Sequence, residues 1–241
     1  ALVLSQSIVF IVTLICIAKM EWFSLDYFIQ KIDLGILKKL SHYSLMAIVT
    51  ALTLPVSQII LRNMLIKTLG IQSAGLWQGM MRISDGYLMI LTTALATYYL
   101  PKLSSLHTDK ELRAEILSGY RLILPVVFLS SLLIYLLRFF IIKLLYTPEF
   151  SQMSDLFLYQ LVGDFFKMAS WVLAYLMLAK SMTKLFLITE IGSTLLYIVL
   201  GYICVYFFGV DGISIAFAIN YFIYLIAMIY IFRELLIGKK I

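Results

Sequence analysis

The chain has few residues that interrupt helices and few that carry charge. Only 4 of its 241 residues are proline and 12 are glycine, and charged residues make up 13% while hydrophobic residues make up 63%. Soluble domains carry about 25% charged and roughly 45–50% apolar residues. The composition therefore excludes an ordinary soluble domain and indicates a membrane protein.

Residues that carry metal or redox chemistry are also scarce. The two cysteines, Cys16 and Cys204, lie inside apolar stretches, and the only histidines are His42 and His107. The sequence has no Cys-x-x-Cys pair and no glycine-rich phosphate loop. We therefore expect no metal site, no bound cofactor and no catalytic residue.

Apolar runs dominate the rest of the chain. A transmembrane helix needs about 20 predominantly apolar residues, and seven runs approach or exceed this length: residues 2–18, 43–65, 74–100, 122–145, 156–179, 185–208 and 213–232. This pattern predicts an all-α, polytopic membrane bundle of about seven transmembrane helices. Because the sequence starts at Ala1, beside an apolar run and without a basic n-region or cleavage site, we expect the C-terminal part of a longer membrane protein.

The basic residues between the runs predict the orientation. The formal net charge is +6, but the lysines and arginines cluster in the connections, which is typical of membrane topology rather than of a nucleic-acid face. Thirteen of the 19 fall on one side, namely Lys19, Lys31, Lys38, Lys39, Lys102, Lys110, Arg113, Arg121, Lys180, Lys184, Arg233, Lys239 and Lys240. By the positive-inside rule that side is cytoplasmic, and so is the C-terminus. We expect no nucleic-acid partner.

Three local signals define the connections. Residues 25–40 place apolar side chains at near-helical spacing with lysines between them, which predicts a cytoplasmic amphipathic helix within a linker at residues 21–40. Pro101 is expected to end the third run. Thr108 and Glu111 have capping-box spacing for a short helix leading into the fourth run.

Two pairs of opposite charges lie inside runs long enough to span a membrane. Arg82 with Asp85, and Asp164 with Lys167, are each spaced i and i+3, so the members of a pair can partly neutralise each other on one helix face. Charge at membrane depth is costly and usually faces a bundle interior or a watery path. Each pair is therefore interpreted either as a structural brace between helices or as part of a transport path.

Other polar residues extend these pairs into stripes along the helices. The stripes are Gln160, Asp164, Lys167 and Trp171 in the fifth run; Arg82, Asp85, Met89, Thr93 and Ala96 in the third; Glu190, Ser193, Tyr197 and Gly201 in the sixth; and Pro55, Gln58 and Arg62 in the second. Some members have simpler interpretations: Arg62 can snorkel to the interface, and Trp171 can serve in helix contacts. Three helices nevertheless carry charge at depth, which favours a functional path.

Two stretches of the sequence resemble bacterial Wzx-type flippases. Residues 76–87, LWQGMMRISDGY, are similar to the second helix of the C-terminal lobe in that family, and residues 160–167, QLVGDFFK, are similar to a later helix. Ala179-Lys180 and Glu190 follow at similar intervals. The family belongs to the MATE-like multidrug/oligosaccharidyl-lipid/polysaccharide superfamily and moves undecaprenyl-pyrophosphate-linked oligosaccharides such as O-antigen units and enterobacterial common antigen.

The resemblance implies the architecture of the whole chain. It implies the C-terminal lobe of a two-lobed (6+6) transporter, with residues 1–20 as the last helix of the N-terminal lobe, 21–40 as the linker and 41–241 as a six-helix lobe. It implies a multi-pass protein of the bacterial inner membrane. Its partners would be the lipid-linked glycan, membrane lipid and other membrane proteins of glycan assembly.

The resemblance and the chemistry of the side chains together suggest roles. Arginine suits phosphate through its planar donor fork, so we expect substrate binding by Arg82, Arg62, Lys167, Gln160 and Trp171. Charge balance, or the binding of a coupling proton or sodium ion, is expected of Asp85, Asp164 and Glu190. The lobes would rock to expose the cavity to each side in turn.

Three alternatives belong to other functional classes. A drug or cation antiporter of the same superfamily should have a cavity dominated by acids and aromatics. A membrane glycosyltransferase, polymerase or ligase should have a large outer loop with catalytic groups, whereas the largest outer connection holds only Glu149 and Asp155. A passive structural subunit leaves the charge at depth unexplained. We therefore expect a transporter and not an enzyme.

Overall fold

The computed structural model describes residues 2–20 and 34–237, and nearly all of these residues are helical. The α-helices are α1 Leu2–Ala18, α2 Leu34–Leu69, α3 Ile71–Ala94, α4 Leu100–Ser105, α5 Asp109–Leu145, α6 Phe157–Ala179, α7 Thr183–Phe208, α8 Asp211–Ile231 and α9 Arg233–Ile237. A π-helical turn, Leu95–Tyr99, joins α3 to α4, and a 3₁₀ segment, Pro148–Leu156, precedes α6. The predicted all-α class is confirmed.

Five of the described helical segments are long and apolar enough to cross a membrane: Leu34–Leu69, Asp109–Leu145, Pro148–Ala179, Thr183–Phe208 and Asp211–Ile231. The prediction of about seven spans therefore differs from the structure in two places. Helix α1 is only 17 residues long. Helix α3 has sufficient length but is too polar, because it carries Arg82 and Asp85 along with several amide and hydroxyl side chains.

The predicted linker at residues 21–40 is described only in part. Residues 21–33 lie outside the described ranges, and residues 34–40 form the first turns of α2 rather than a separate helix. The chain divides into two compact units between Ser41 and His42. The assignment of these parts to two lobes and a linker stays a prediction.

Pro101 does not end the third helical run, so that prediction is wrong. The π-helical turn Leu95–Tyr99 precedes it, with the Leu100 N–H bonded to the Leu95 carbonyl five residues back, and the helix continues to Ser105. Proline has no N–H and its ring clashes with the carbonyl four residues earlier. The wider turn at this point accommodates Pro101, so the helical backbone continues past it.

The capping box at the start of α5 is confirmed. The Thr108 hydroxyl accepts from the Glu111 N–H at 3.3 Å, and the Glu111 carboxylate accepts from the Thr108 N–H at 3.2 Å. The helix that begins there is not a short separate one as predicted, because α5 runs unbroken from Asp109 to Leu145. Two backbone N–H groups at the start of α5, which have no partner within the helical backbone, are therefore satisfied by side chains of the first turn.

Helix α6 is the most buried of the spanning segments and packs against α5 and α8. Two glycines permit close helix contacts in this region. A Cβ on Gly163 would lie 2.3 Å from the Phe217 ring of α8, and one on Gly212 would lie 2.2 Å from the Cys204 carbonyl oxygen of α7. The polar residues of α6 are therefore surrounded by neighbouring helices.

Candidate functional site

A small polar cavity lies among α2, α3, α6, α7 and α8; we call it the central cavity. Its volume is about 50 Å³, and its charged lining residues are Asp85, Lys167 and Glu190. The other polar side chains that line it are Ser57, Gln58, Trp171, Ser193, Thr194, Tyr197, Asn220, Tyr221 and Tyr224. A space of this size holds one or two water molecules or an ion but no sugar.

Lys167 reaches the central cavity through a group of aromatic rings. Its Nζ lies 5.1 Å from the ring centroid of Trp171, 5.9 Å from that of Tyr221 and 6.0 Å from that of Phe217. An ammonium group within about 6 Å of such rings is attracted by their negative faces. The residue itself is buried at 7% exposure, so aromatic contacts replace most of its hydration.

Asp164 is fully buried and lies among hydroxyl groups. Ser84 Oγ is 2.6 Å from both carboxylate oxygens, and the Tyr87 hydroxyl donates to Oδ2 at 2.9 Å. Because a phenol has a single O–H, the 3.1 Å contact between Tyr87 and Ser131 has Ser131 as its donor. Helices α3 and α5 thus supply a chain of neutral donors to one acid of α6.

Neither of the two i and i+3 pairs of charges forms a direct ion pair in the described residues. Among residues 2–20 and 34–237, one salt bridge lies within 4.0 Å, and it joins Lys102 to Glu115. Asp164 is held by Ser84 and Tyr87 instead, while Lys167 faces aromatic rings. The two side chains of α6 therefore have different direct partners, and both interpretations of the pair, a brace or part of a transport path, stay predictions.

The predicted stripe of the third run forms an exposed face of α3 that continues into the π-helical turn. Arg82, Asp85, Met89, Thr93 and Ala96 are all exposed in the described chain, whereas Ser84 and Leu88 on the opposite face are buried. Asp85 also contributes to the wall of the central cavity. A charged face at membrane depth cannot remain against lipid, so it must meet water or another polar surface.

The remaining predicted residues take different positions. Arg62 is half-buried on α2 and, like Arg82, does not line the central cavity. Gln160 is fully buried, with Nε2 3.5 Å from Met81 Sδ and Oε1 3.5 Å from Ser214 Oγ. The structure therefore brings Asp85, Lys167, Trp171 and Glu190 together and leaves both arginines and Gln160 apart from them.

The sequence analysis did not predict the polar residues that form hydrogen bonds with Asp164 and with the lining of the central cavity. Ser84 and Tyr87 bond to Asp164, Ser131 bonds to Tyr87, and the Asn220 amide of α8 donates to Ser193 of α7 at 3.1 Å. Asn220 could have been found, because an amide inside an otherwise apolar span is itself a sign of a polar interior. Hydroxyl side chains give no comparable signal, since they commonly bond to their own helix.

Span-length apolar helices around buried charges define a multi-pass membrane protein. The chain is 34% identical over 223 residues to a protein named Lipid III flippase from Escherichia coli strain K12, and to one of the same name from Shigella flexneri. The match covers 92% of this chain and 54% of each relative, so the chain spans about half the length of the curated relatives it matches. No protein-family model and no solved structure matches it.

Proposed function

We propose that the protein to which this chain belongs is a flippase for a lipid-linked oligosaccharide, of the kind that the name of its relatives describes. The observation that carries this proposal is the exposed, charged face of α3 beside a central cavity that it shares through Asp85 and that contains two further charged lining residues, Lys167 and Glu190. The similarity over 92% of the chain supports it. In this proposal the protein lies in the bacterial inner membrane with its C-terminus in the cytoplasm.

The chemistry of the substrate explains why such a face is needed. An undecaprenyl-pyrophosphate glycan has a negative head and a polar sugar that cannot enter hydrocarbon, while its prenyl tail can stay in lipid. The planar fork of Arg82 can donate two parallel hydrogen bonds to phosphate oxygens. Arg82 is exposed on its helix in the described chain, and its guanidinium group forms no salt bridge there. Arg62 is a second, half-buried candidate.

The central cavity has a different role in this proposal. At about 50 Å³ it is too small for the pyrophosphate head with its sugar but large enough for a water or an ion. We therefore assign Asp85, Glu190 and nearby Asp164 to charge balance and the binding of a coupling H⁺ or Na⁺. Lys167 and Trp171 face this space, so they contact substrate only in a state in which the cavity opens during alternating access.

A second candidate is a drug or cation antiporter. The cavity lining of Asp85, Glu190 and the rings of Trp171, Tyr197 and Tyr221 is the acid and aromatic chemistry expected for it. The ammonium group of Lys167 in the same cavity disfavours an organic cation there, because like charges repel at short range.

Reconstitution separates the two candidates. The full-length protein is incorporated into liposomes that contain a fluorescent undecaprenyl-pyrophosphate oligosaccharide, and the fraction of label accessible to an external quencher is followed. We expect transfer between leaflets well above that in protein-free liposomes. Gradient-driven uptake of an organic cation such as ethidium, without lipid transfer, would identify the antiporter instead.

A further inference from the structure

A second concave site lies away from the central cavity, between the π-helical turn with α4 on one side and α5 on the other. We call it the α4–α5 groove. Its volume is about 410 Å³, within the range of ligand pockets. Apolar side chains line most of it, including Leu91, Leu95, Leu122 and Val126, and Lys102 and Glu115 lie at one end. None of the residues proposed for transport lines this groove.

The groove has the length of one membrane leaflet. On the wall formed by α3, the π-helical turn and α4 it extends from Leu91 to Lys102, which at about 1.5 Å per residue is roughly 16 Å, and residues 91–100 of this wall belong to the third apolar run. Half of a hydrocarbon core is about 15 Å. A groove that follows an apolar run for this distance, with a lysine at its polar end, matches a lipid chain that runs from the interface towards the membrane centre.

Two local features make the space. The π-helical turn places Tyr98 outward at 79% exposure and Tyr99 inward at 7%. Gly119 of α5 has no side chain, and a Cβ there would lie 3.1 Å from the Tyr99 ring. The Tyr99 hydroxyl is buried at this wall without a hydrogen-bond partner in residues 2–20 and 34–237. π-helical turns inside α-helices occur frequently at functional sites.

The mouth of the groove carries a cation that is loosely held. Lys102 Nζ is 3.8 Å from a Glu115 carboxylate oxygen, and the two side chains are 58% and 26% exposed. Such exposed ion pairs contribute little stability, so a phosphate group can displace Glu115 from Lys102. Basic residues predominate at this end of the bundle in the sequence, and basic groups beside a membrane attract anionic lipid.

We propose that the α4–α5 groove binds an anionic phospholipid from the leaflet at the basic end of the bundle. One acyl chain lies along the apolar wall, and the phosphate contacts Lys102. This site is independent of what the protein transports. Bound phospholipid bridges the π-helical turn to α5 and so stabilises the segment around Pro101.

Thermal unfolding of the full-length protein in a neutral detergent tests the proposal. Dioleoylphosphatidylglycerol should raise the Tm by roughly 5 °C at a concentration about 100-fold above its Kd, more than the zwitterionic dioleoylphosphatidylcholine does. Lys102→Gln should remove at least half of this difference, whereas Lys184→Gln, at an exposed lysine outside the groove, should preserve it. Glu115→Gln, which frees Lys102, should increase it.

A groove-filling variant and a second lipid complete the test. Ser118 is an exposed residue of the groove wall, so Ser118→Trp can fill the groove while the Tm without lipid confirms folding. It should abolish the phosphatidylglycerol effect. Equal stabilisation by the two phospholipids, or equal responses of the Lys102 and Lys184 variants, overturns the proposal. Stabilisation by undecaprenyl phosphate alone overturns it too, and assigns the groove to a prenyl lipid.

Discussion

Asp164 and Lys167 are separated by three positions on α6, but their charged groups lie in different surroundings. The Asp164 carboxylate accepts hydrogen bonds from Ser84 and Tyr87 of α3, while the Lys167 ammonium faces the rings of Trp171, Phe217 and Tyr221. No salt bridge joins them in the described chain. The two charged groups thus have different hydrogen-bond and ring partners, although they are only three positions apart on one helix.

The first prediction concerns mutual rescue of this acid and base. A buried ion pair can often be replaced by apolar residues with little loss, so a simple brace would tolerate neutralisation of both members. Because these two have different partners, Asp164→Asn with Lys167→Met should fail to export glycan at normal expression. The charge swap, Asp164→Lys with Lys167→Asp, should fail as well. Recovery of export in the neutral double variant would show that Asp164 and Lys167 serve only as a structural brace between helices.

The hydroxyl groups around Asp164 give the second prediction. Tyr87→Phe removes a donor to a buried carboxylate and should lower the free energy of unfolding by about 1–3 kcal/mol in detergent. In an Asp164→Asn background, Tyr87→Phe should lower the free energy of unfolding clearly less, because the charged acceptor is absent. Ser130→Ala is the matched control, because Ser130 bonds only to carbonyls of its own helix. Equal costs of Tyr87→Phe in both backgrounds would contradict the hydrogen-bonded arrangement.

The third prediction tests the contact between α6 and α8. Gly163→Ala places a Cβ 2.3 Å from the Phe217 ring and 3.1 Å from the Ala218 Cα, so it should destabilise the protein by about 1–3 kcal/mol. Gly192→Ala on α7 meets nothing within 4 Å and should be neutral or stabilising by up to about 1 kcal/mol. The Tm values of the two variants provide the comparison. A neutral Gly163→Ala would show that the helices are not this close.

Membrane orientation is the subject of the fourth prediction. Cysteines placed at Lys110 and Lys239 should react only with membrane-permeant thiol reagents in intact cells, and a cysteine at Pro148 should react with an impermeant one. The reason is the clustering of basic residues at the end of the bundle that holds Lys110. Impermeant labelling at position 110 would reverse the orientation and the direction of transport built on it.

Sequence patterns predicted helices well where the signal is local. Five apolar runs became span-length helices, and the capping box of Thr108 and Glu111 formed because its two hydrogen bonds depend only on residues three positions apart. The prediction that Pro101 ends the helix was wrong, because the π-helical turn before it accommodates the proline ring and its missing N–H.

The candidate site could be predicted only in part, for a physical reason. The charges at depth were visible in the sequence, and Asp85, Lys167 and Glu190 do line one cavity. Their partners were not visible, because Ser84 meets Asp164 across 80 positions of sequence. Helical spacing shows which side chains share a face, but side chains on other helices decide which of them form bonds.

The central claim is that Arg82 on the exposed face of α3 binds the phosphate of a lipid-linked glycan, and export by Arg82 variants of the full-length protein tests it most directly. The matched control is Arg138→Ala, because Arg138 stacks 4.2 Å from the Tyr135 ring centroid on α5, apart from the proposed path, and should retain export. Arg82→Ala should abolish export while the protein remains inserted and abundant, and Arg82→Lys should retain part of it, because the charge stays but the donor fork is lost. Normal export by Arg82→Ala would contradict the account.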